Sequence, residues 1–142
     1  MTDSEASSTI ELSSHLGRVV LINFWATWCE PCEREMPAME RLYQALAGEQ
    51  FELIAVAIDD NEDDVRAFQN RYQLTFPIVL DPTQLVYGEY QTMGVPESLL
   101  VDREGRIVER YVGPREWDAI RYLNRIRELI GGSRTVPESS AL

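Results

Sequence analysis

The stretch NFWATWCEPC, residues 23–32, decides how the rest of this sequence is interpreted. It is an apolar run that ends in two cysteines separated by two residues, and the chain has no other cysteine. Two cysteines at this spacing, directly after the pattern of a buried strand, are typical of a dithiol that cycles with a disulfide. The stretch therefore predicts a redox centre where a strand gives way to a helix.

Two structural roles explain Cys29 and Cys32 less well than redox chemistry does. A disulfide between residues three apart closes a very small loop, and the stabilisation from a disulfide falls as its loop shrinks. A tetrahedral zinc site needs about four ligands, and besides the two cysteines the sequence offers one histidine, His15. We therefore predict no metal site, and the redox-active disulfide needs no further cofactor.

The order of the two cysteines predicts their roles. Cys29 should lie at the start of a helix, where free N–H groups and the positive end of the helix dipole stabilise a thiolate. Cys29 would then be the attacking thiol. Cys32, one helical turn further along, would resolve the mixed disulfide.

Acidic residues surround the cysteines in the sequence. Glu30, Glu33 and Glu35 flank the pair, and Arg34 is the one cation among them. Negative charge disfavours a thiolate, and a less stable dithiolate makes the disulfide harder to reduce. The sequence therefore predicts a reductant rather than an oxidant.

The overall charge excludes one class of partner. The chain has 142 residues, with 13 Lys and Arg against 24 Asp and Glu, which gives a net charge of −11. A phosphate backbone would be repelled, so no nucleic-acid binding is expected. The polar, acidic start is unlike a secretory signal peptide, and composition leaves open both a cytoplasmic protein and an exported one whose targeting segment was removed.

Strand and helix patterns alternate along the chain. They are a short strand over 10–12, a strand over 19–25, a helix over 29–46, a strand over 51–58, a helix over 62–72, a strand over 77–80, a short helix near 85–90, a hairpin of 98–102 and 106–112, and a helix over 116–130. This order predicts a parallel sheet core with a late antiparallel hairpin. We expect one α/β domain over 10–132, with flexible segments at 1–9 and 133–142.

Several side chains have predicted positions within this fold. Trp25, Met36 and Met39 should be core residues, and Trp28 should belong to a contact surface. Gly105 should adopt a positive φ in the hairpin turn. The inward residues of the last helix should be Trp117, Ile120, Leu123, Ile126 and Ile130.

Two further places are open to more than one interpretation. Pro96 directly precedes an apparently buried strand, where it either simply starts the strand or forms a cis-proline turn beside the cysteines. A cis-proline turn would leave backbone free to pair with a bound substrate. Asp59 and Asp60 either cap the helix that follows or lie near Cys29 at the carboxyl edge of the sheet.

Residues 23–32, the Glu-Met-Pro at 35–37, the Gly-x-Pro at 94–96 and the segment 99–105 together resemble the TlpA/ResA-like branch of the thioredoxin superfamily. The resemblance extends from about residue 10 to residue 130. It implies a thioredoxin fold, a mixed central sheet flanked by helices, with an αβ insertion at 51–78 after the active-site helix.

The resemblance also implies a function. Members of this branch are mostly bacterial extracytoplasmic thiol:disulfide oxidoreductases, often reductants of apocytochrome c during cytochrome c maturation. It implies protein disulfide substrates, an upstream thiol reductase as electron donor, a monomer, and a periplasmic or extracytoplasmic location. A general disulfide reductase of the cytoplasm or envelope is the alternative. A thiol peroxidase and a thiol- or copper-binding chaperone are less favoured.

Residue by residue, the resemblance makes Cys29 the nucleophile, Cys32 the resolving cysteine and Pro96 the cis-proline. It places Asp60 where related proteins carry an acidic residue, usually Glu, that assists proton transfer. Glu97 follows the proline as in the Pro-Glu-Thr of cytochrome-biogenesis reductases, and would add a carboxylate beside the disulfide. The residues expected to bind substrate are Trp28, Glu30, Pro31, Val95 and Pro96.

The reductant prediction can be checked by measuring the reduction potential of the Cys29–Cys32 pair against glutathione. We expect a value nearer that of thioredoxin than that of the strong oxidant DsbA, because the surrounding carboxylates disfavour the dithiolate. A value above about −170 mV would contradict the prediction.

Overall fold

The computed structural model describes residues 15–59, 61–81, 83–90 and 94–132. The predicted strand over 10–12, the two segments predicted to be flexible and Asp60 lie outside the described residues. Among the described residues, no helix is both long and apolar enough to cross a membrane.

Five strands and four helices follow one another in the described part of the chain. They are β1 (Val19–Trp25), α1 (Glu30–Ala45), β2 (Phe51–Ala57), α2 (Glu62–Tyr72), β3 (Ile78–Leu80), α3 (Leu85–Glu89), β4 (Glu97–Val101), β5 (Ile107–Val112) and α4 (Ile120–Gly132). The sheet order is β3-β2-β1-β4-β5. β1, β2 and β3 are parallel, whereas β4 runs antiparallel to β1 and β5 antiparallel to β4. The predicted mixed α/β sheet is confirmed.

Strand β1 lies at the centre of the sheet and is buried at all seven positions. Its odd-numbered apolar residues, such as Leu21 and Trp25, pack with α1 in the larger core cluster, which also holds Met36 and Met39. Its even-numbered residues, such as Ile22, face a second cluster on the other side of the sheet. Because side chains alternate along a strand, each position of β1 belongs to one face only.

One edge of the sheet brings the chemically interesting segments together. β1 ends at Trp25, and α1 begins five residues later. β4 runs antiparallel to β1, so its first residue, Glu97, pairs with Phe24 near the end of β1. The carboxyl end of β1, the amino end of α1 and the start of β4 therefore meet at one edge.

The hairpin between β4 and β5 forms as predicted. Gly105 has φ +85° in its turn, a conformation that glycine adopts without steric cost. The Asp102 carboxylate accepts hydrogen bonds from the N–H groups of Glu104 and Arg106, at 3.0 and 2.9 Å.

The last helix differs from its prediction in one respect. α4 begins at Ile120 rather than near residue 116, and Trp117 lies in the turn that precedes it. Ile120, predicted to face inward, is 65% exposed, whereas Tyr122 is buried. Tyr122 and Ile126, four residues apart, set the inward face, and Ile120, two residues before Tyr122, lies on the opposite side of the helix.

The amino end of α2 offers a test of local stability. The Asn61 side chain accepts the N–H of Asp64 at 3.2 Å, which satisfies one of the free donors at the helix start. We expect Asn61→Ala to lower the free energy of unfolding by about 1 kcal/mol, as measured by urea denaturation. Asn61→Ser, which keeps an acceptor, should restore most of it. Equal stability of the two variants would contradict the capping role.

Candidate active site

Cys29 and Cys32 form a disulfide at the amino end of α1. Cys29 is the N-cap residue, and its sulfur accepts the N–H of Cys32 at 3.2 Å. Cys29 is 5% exposed and Cys32 is fully buried. One N–H of the first helical turn thus points at the Cys29 sulfur, an arrangement that stabilises a thiolate. Cys29 lies where the sequence placed it, and its role as nucleophile stays a prediction.

The loop before Cys29 is held by Asp59. The two Asp59 carboxylate oxygens accept hydrogen bonds from the Thr27 N–H at 2.9 Å and from the Thr27 hydroxyl at 2.5 Å. Asn61 caps the helix that follows, so Asp59 fixes the loop instead of capping α2. The proton-transfer role of Asp60, outside the described residues, stays a prediction.

The proline loop lies against the cysteines. The Val95–Pro96 peptide bond is cis, and the Val95 carbonyl oxygen is 3.7 Å from the Cys29 sulfur. Trp28, next to Cys29, is 68% exposed. The structure therefore brings Cys29, Val95 and Pro96 together, with the Trp28 ring open to solvent beside Cys29.

Most of the acidic residues expected near the cysteines have partners of their own. Glu30 opens α1 with Pro31 and forms an exposed ion pair with Arg34 at 2.7 Å. Glu33 accepts a hydrogen bond from the Tyr72 hydroxyl. These contacts reduce the negative charge that these carboxylates direct towards the disulfide.

Glu97 is buried, but on the other side of the sheet. It pairs in register with Phe24, whose ring belongs to the cluster facing away from α1. Its carboxylate forms an ion pair with Arg110. The negative charge of Glu97, which was expected to lie beside the disulfide, is paired with Arg110 on this face. Its proposed part in proton transfer stays a prediction.

Glu35 is the acidic residue among the buried residues of α1. It follows Cys32 by three residues, so both lie on the same helix face one turn apart, and it is 2% exposed. Its Oε2 accepts hydrogen bonds from Trp117 Nε1 at 2.6 Å and from the Arg115 N–H at 3.1 Å. Its Oε1 accepts one from Asn23 Nδ2 at 3.3 Å.

Burial raises the pKa of Glu35 from 4.5 to about 7. The hydrogen bonds from Trp117, Arg115 and Asn23 favour the carboxylate and lower the pKa, but they offset only part of the desolvation. A carboxyl group with this pKa is present in both protonation states at neutral pH, which suits a group that accepts and returns protons.

An open cleft connects Glu35 with solvent. It has a volume of about 450 Å³, and its lining residues are Arg34, Glu35, Pro114, Arg115 and Glu116. Within the described ranges, no group of three or more His, Cys, Asp or Glu side chains could hold a metal ion.

Sequence reasoning did not single out Glu35. It treated this residue as one of several acids around the cysteines, although a signal was present. The buried positions Cys32, Glu35, Met39 and Leu42 are spaced three, four and three residues apart, which is the spacing of one helix face. That spacing alone places the carboxyl group inside.

The chain is similar to known thiol-disulfide oxidoreductases. The AhpC/TSA family matches residues 1–110. The chain is similar to the thiol-disulfide oxidoreductase ResA of Bacillus anthracis, with 39% identity over 127 residues that cover 89% of this chain and 73% of that protein. Among solved structures it is similar to StoA from Bacillus subtilis, with a TM-score of 0.69 and 30% identity, covering 80% of this chain and 84% of that one.

A thiol:disulfide interchange protein of the thioredoxin family from Chlorobium tepidum TLS gives a TM-score of 0.72 at 25% identity, covering 82% of this chain and 85% of that one. Together with the observed sheet order, these similarities confirm the predicted thioredoxin fold.

The raised pKa of Glu35 predicts how stability depends on pH. The folded state holds this proton more tightly than the unfolded state, so stability falls as pH rises from 4.5 to above 7. The size of the loss is about 3 kcal/mol, at about 1.4 kcal/mol for each pH unit between the two pKa values. Urea denaturation of the oxidised protein at a series of pH values measures it.

Glu35→Gln should remove this loss, because the amide does not ionise. The matched control is Glu89→Gln, the same change at an exposed position of α3, which should follow the wild type. If wild type and Glu35→Gln changed in parallel between pH 4.5 and 8, the raised pKa would be wrong.

Proposed function

This chain belongs to the AhpC/TSA family and, within it, to the ResA-like thiol-disulfide oxidoreductases, and we propose that it reduces disulfides in protein substrates. The observation that carries the proposal is the redox pair at the start of α1 with the buried carboxyl group of Glu35 one turn beyond Cys32. Nucleophile, resolving thiol and proton acceptor thus lie on one helix.

In the first step the Cys29 thiolate attacks one sulfur of a substrate disulfide. The substrate S–S bond breaks, a mixed disulfide with Cys29 forms, and the leaving substrate sulfur departs as a thiolate that takes a proton from solvent. The N–H of Cys32, which points at the Cys29 sulfur, stabilises the attacking charge.

In the second step Cys32 must lose its proton before it can attack. Glu35 accepts that proton, and the Cys32 thiolate attacks the Cys29 sulfur. The bond between Cys29 and the substrate breaks, and the second substrate sulfur leaves as a thiolate that takes a proton from solvent. The substrate gains two electrons, and the Cys29–Cys32 disulfide re-forms. Burial raises the pKa of Glu35 to about 7, which brings its proton affinity closer to that of a thiol than an ordinary carboxyl group comes.

The substrate would dock on the surface formed by Trp28, Val95 and Pro96. Val95 presents its carbonyl oxygen to the Cys29 sulfur, and an extended substrate segment can pair with backbone at such a place. The exposed Trp28 ring offers a large apolar contact area. Glu30 and Pro31, at the first turn of α1, complete the proposed surface.

Further parts of the proposal rest on the resemblance of the sequence motifs. They are reduction of apocytochrome c in cytochrome c maturation, an upstream thiol reductase as electron donor, an extracytoplasmic location, a monomeric state and the absence of any further cofactor. A general disulfide reductase of the cytoplasm or envelope is the alternative. Isolation of the mixed disulfide that Cys32→Ser accumulates would identify the substrate and separate the two.

Kinetics of insulin reduction test the proposed roles. Cys29→Ser should abolish turnover, and Glu35→Gln should slow it at pH 7 by about tenfold to a hundredfold, because resolution loses its proton acceptor. The defect should shrink at about pH 9, where hydroxide in solution can take the Cys32 proton in place of Glu35. Full activity of Cys29→Ser would reject the mechanism.

The control for the Glu35 role is Glu89→Gln, which should keep wild-type turnover at both pH values. Single-turnover measurements locate the defect: attack by Cys29 should keep its rate in Glu35→Gln, and breakdown of the mixed disulfide should slow. A Glu35→Gln variant as fast as wild type at pH 7 would remove Glu35 from the mechanism.

A further inference from the structure

Asn23 lies at the centre of the hydrogen-bonded groups beneath the active site. It is a fully buried polar residue in the middle of β1, on the face that packs against α1. Its Nδ2 donates to Glu35 Oε1 at 3.3 Å and to the Ser98 hydroxyl oxygen at 2.8 Å. A polar side chain at this position of a central strand costs stability unless its groups are paired.

The other half of the Asn23 carboxamide is unpaired. In the part of the chain that the structure describes, no donor makes a hydrogen bond to Asn23 Oδ1, although this atom is buried. A buried acceptor without a donor is uncommon and calls for an explanation. The same carboxamide also contacts Glu35, whose charge changes near neutral pH.

The two oxygens of Glu35 are not equivalent. Oε2 is held by the indole N–H of Trp117 and the backbone N–H of Arg115, and both groups can only donate. A proton bound to Glu35 must therefore reside on Oε1. The one hydrogen bond to Oε1 among the described residues comes from Asn23 Nδ2, so in the present geometry the neighbouring amide offers the Oε1–H of a protonated Glu35 a donor and no acceptor.

We propose that the Asn23 carboxamide rotates by half a turn when Glu35 takes up its proton. Oδ1 then accepts the Oε1–H of Glu35. The Ser98 hydroxyl, which now accepts from Nδ2, turns to donate to Oδ1, since a hydroxyl can do either. Asn23 is thus a positioning residue that keeps a hydrogen bond to Glu35 in both protonation states. This inference rests on the proposed role of Glu35 as the proton carrier.

The charged groups around Glu35 are compatible with this assignment. Across the cleft lie Arg34 and Glu116, and the Arg115 guanidinium lowers the pKa of Glu35. From β5, Tyr111 packs edge-to-face on Trp117 with ring centroids 5.1 Å apart, and burial raises its pKa, so it stays neutral.

In the oxidised protein the two cysteines are joined and do not titrate. Glu35 is therefore the group at this place whose charge changes near neutral pH. A measurement on the oxidised chain observes its protonation without interference from the thiols.

The experiment is a pH titration of the oxidised full chain by NMR, which follows the Glu35 carboxyl carbon and the Asn23 side-chain amide. We expect both to titrate with the same midpoint. We also expect the contact between the Asn23 amide protons and the Ser98 methylene protons to be present at high pH and lost at low pH. Persistence of that contact on both sides of the midpoint would overturn the proposal.

Glu35→Gln provides an independent arm. Its amide nitrogen takes the place of Oε1 and donates permanently, so Asn23 should hold the rotated orientation at every pH. The Asn61 amide, which caps α2, is the control and should not respond to Glu35 in either protein. If the Asn23 side-chain amide of Glu35→Gln showed the same Ser98 contact as the wild type shows at high pH, the proposal would also be overturned.

The two proposals fail separately. If the Asn23 contact moves with Glu35 but Glu35→Gln turns over insulin at the wild-type rate, the rotation stands and the proposed proton carrier fails. If Glu35→Gln is slow but the Asn23 contact stays fixed through the titration, the carrier stands and the rotation fails.

Discussion

The structure of the site depends on the enclosure of one carboxyl group, that of Glu35. Its hydrogen bonds reach Asn23 in β1, the Arg115 backbone and the Trp117 indole, so it ties α1 to the central strand and to the segment before α4. Desolvation of the charge works against these bonds and raises the pKa to about 7. The contacts that hold these three segments together therefore also enclose a carboxyl group that titrates near neutral pH. A strong ion pair would instead lower its pKa and keep it charged.

Strand alternation decides which carboxylates can serve this site. Asn23 and Ser98 are partners in register and face α1, where they join Glu35. Glu97, the next residue along β4, must face the other way because successive strand side chains point to opposite sides of the sheet. There it meets Arg110. A shift of a single residue in the register would exchange these environments, so the sheet pairing itself sets the electrostatics near the disulfide.

Local patterns in the sequence were enough for much of this structure. Neighbouring residues alone identify the apolar run of β1, the cysteine spacing and Gly105 in the hairpin turn. What could not be predicted depends on pairing between distant segments: Trp117 reaches Glu35 across 82 residues, and the face of Glu97 follows only once the register is known. Ile120 was misplaced because the apolar spacing did not show that Tyr122, and not Ile120, shares the inward face with Ile126.

In the proposed mechanism, the positions of the sulfurs and of Glu35 separate the path of electrons from that of protons. A substrate over Cys29, Trp28 and Val95 would cover the disulfide during the mixed-disulfide stage, when Cys32 must lose its proton. Glu35 has its own opening, the cleft lined by Arg34 and Pro114 among others, on the side of α1 that faces the segment before α4. Protons can therefore leave while substrate occupies the sulfurs, and resolution need not wait for the docking surface to clear.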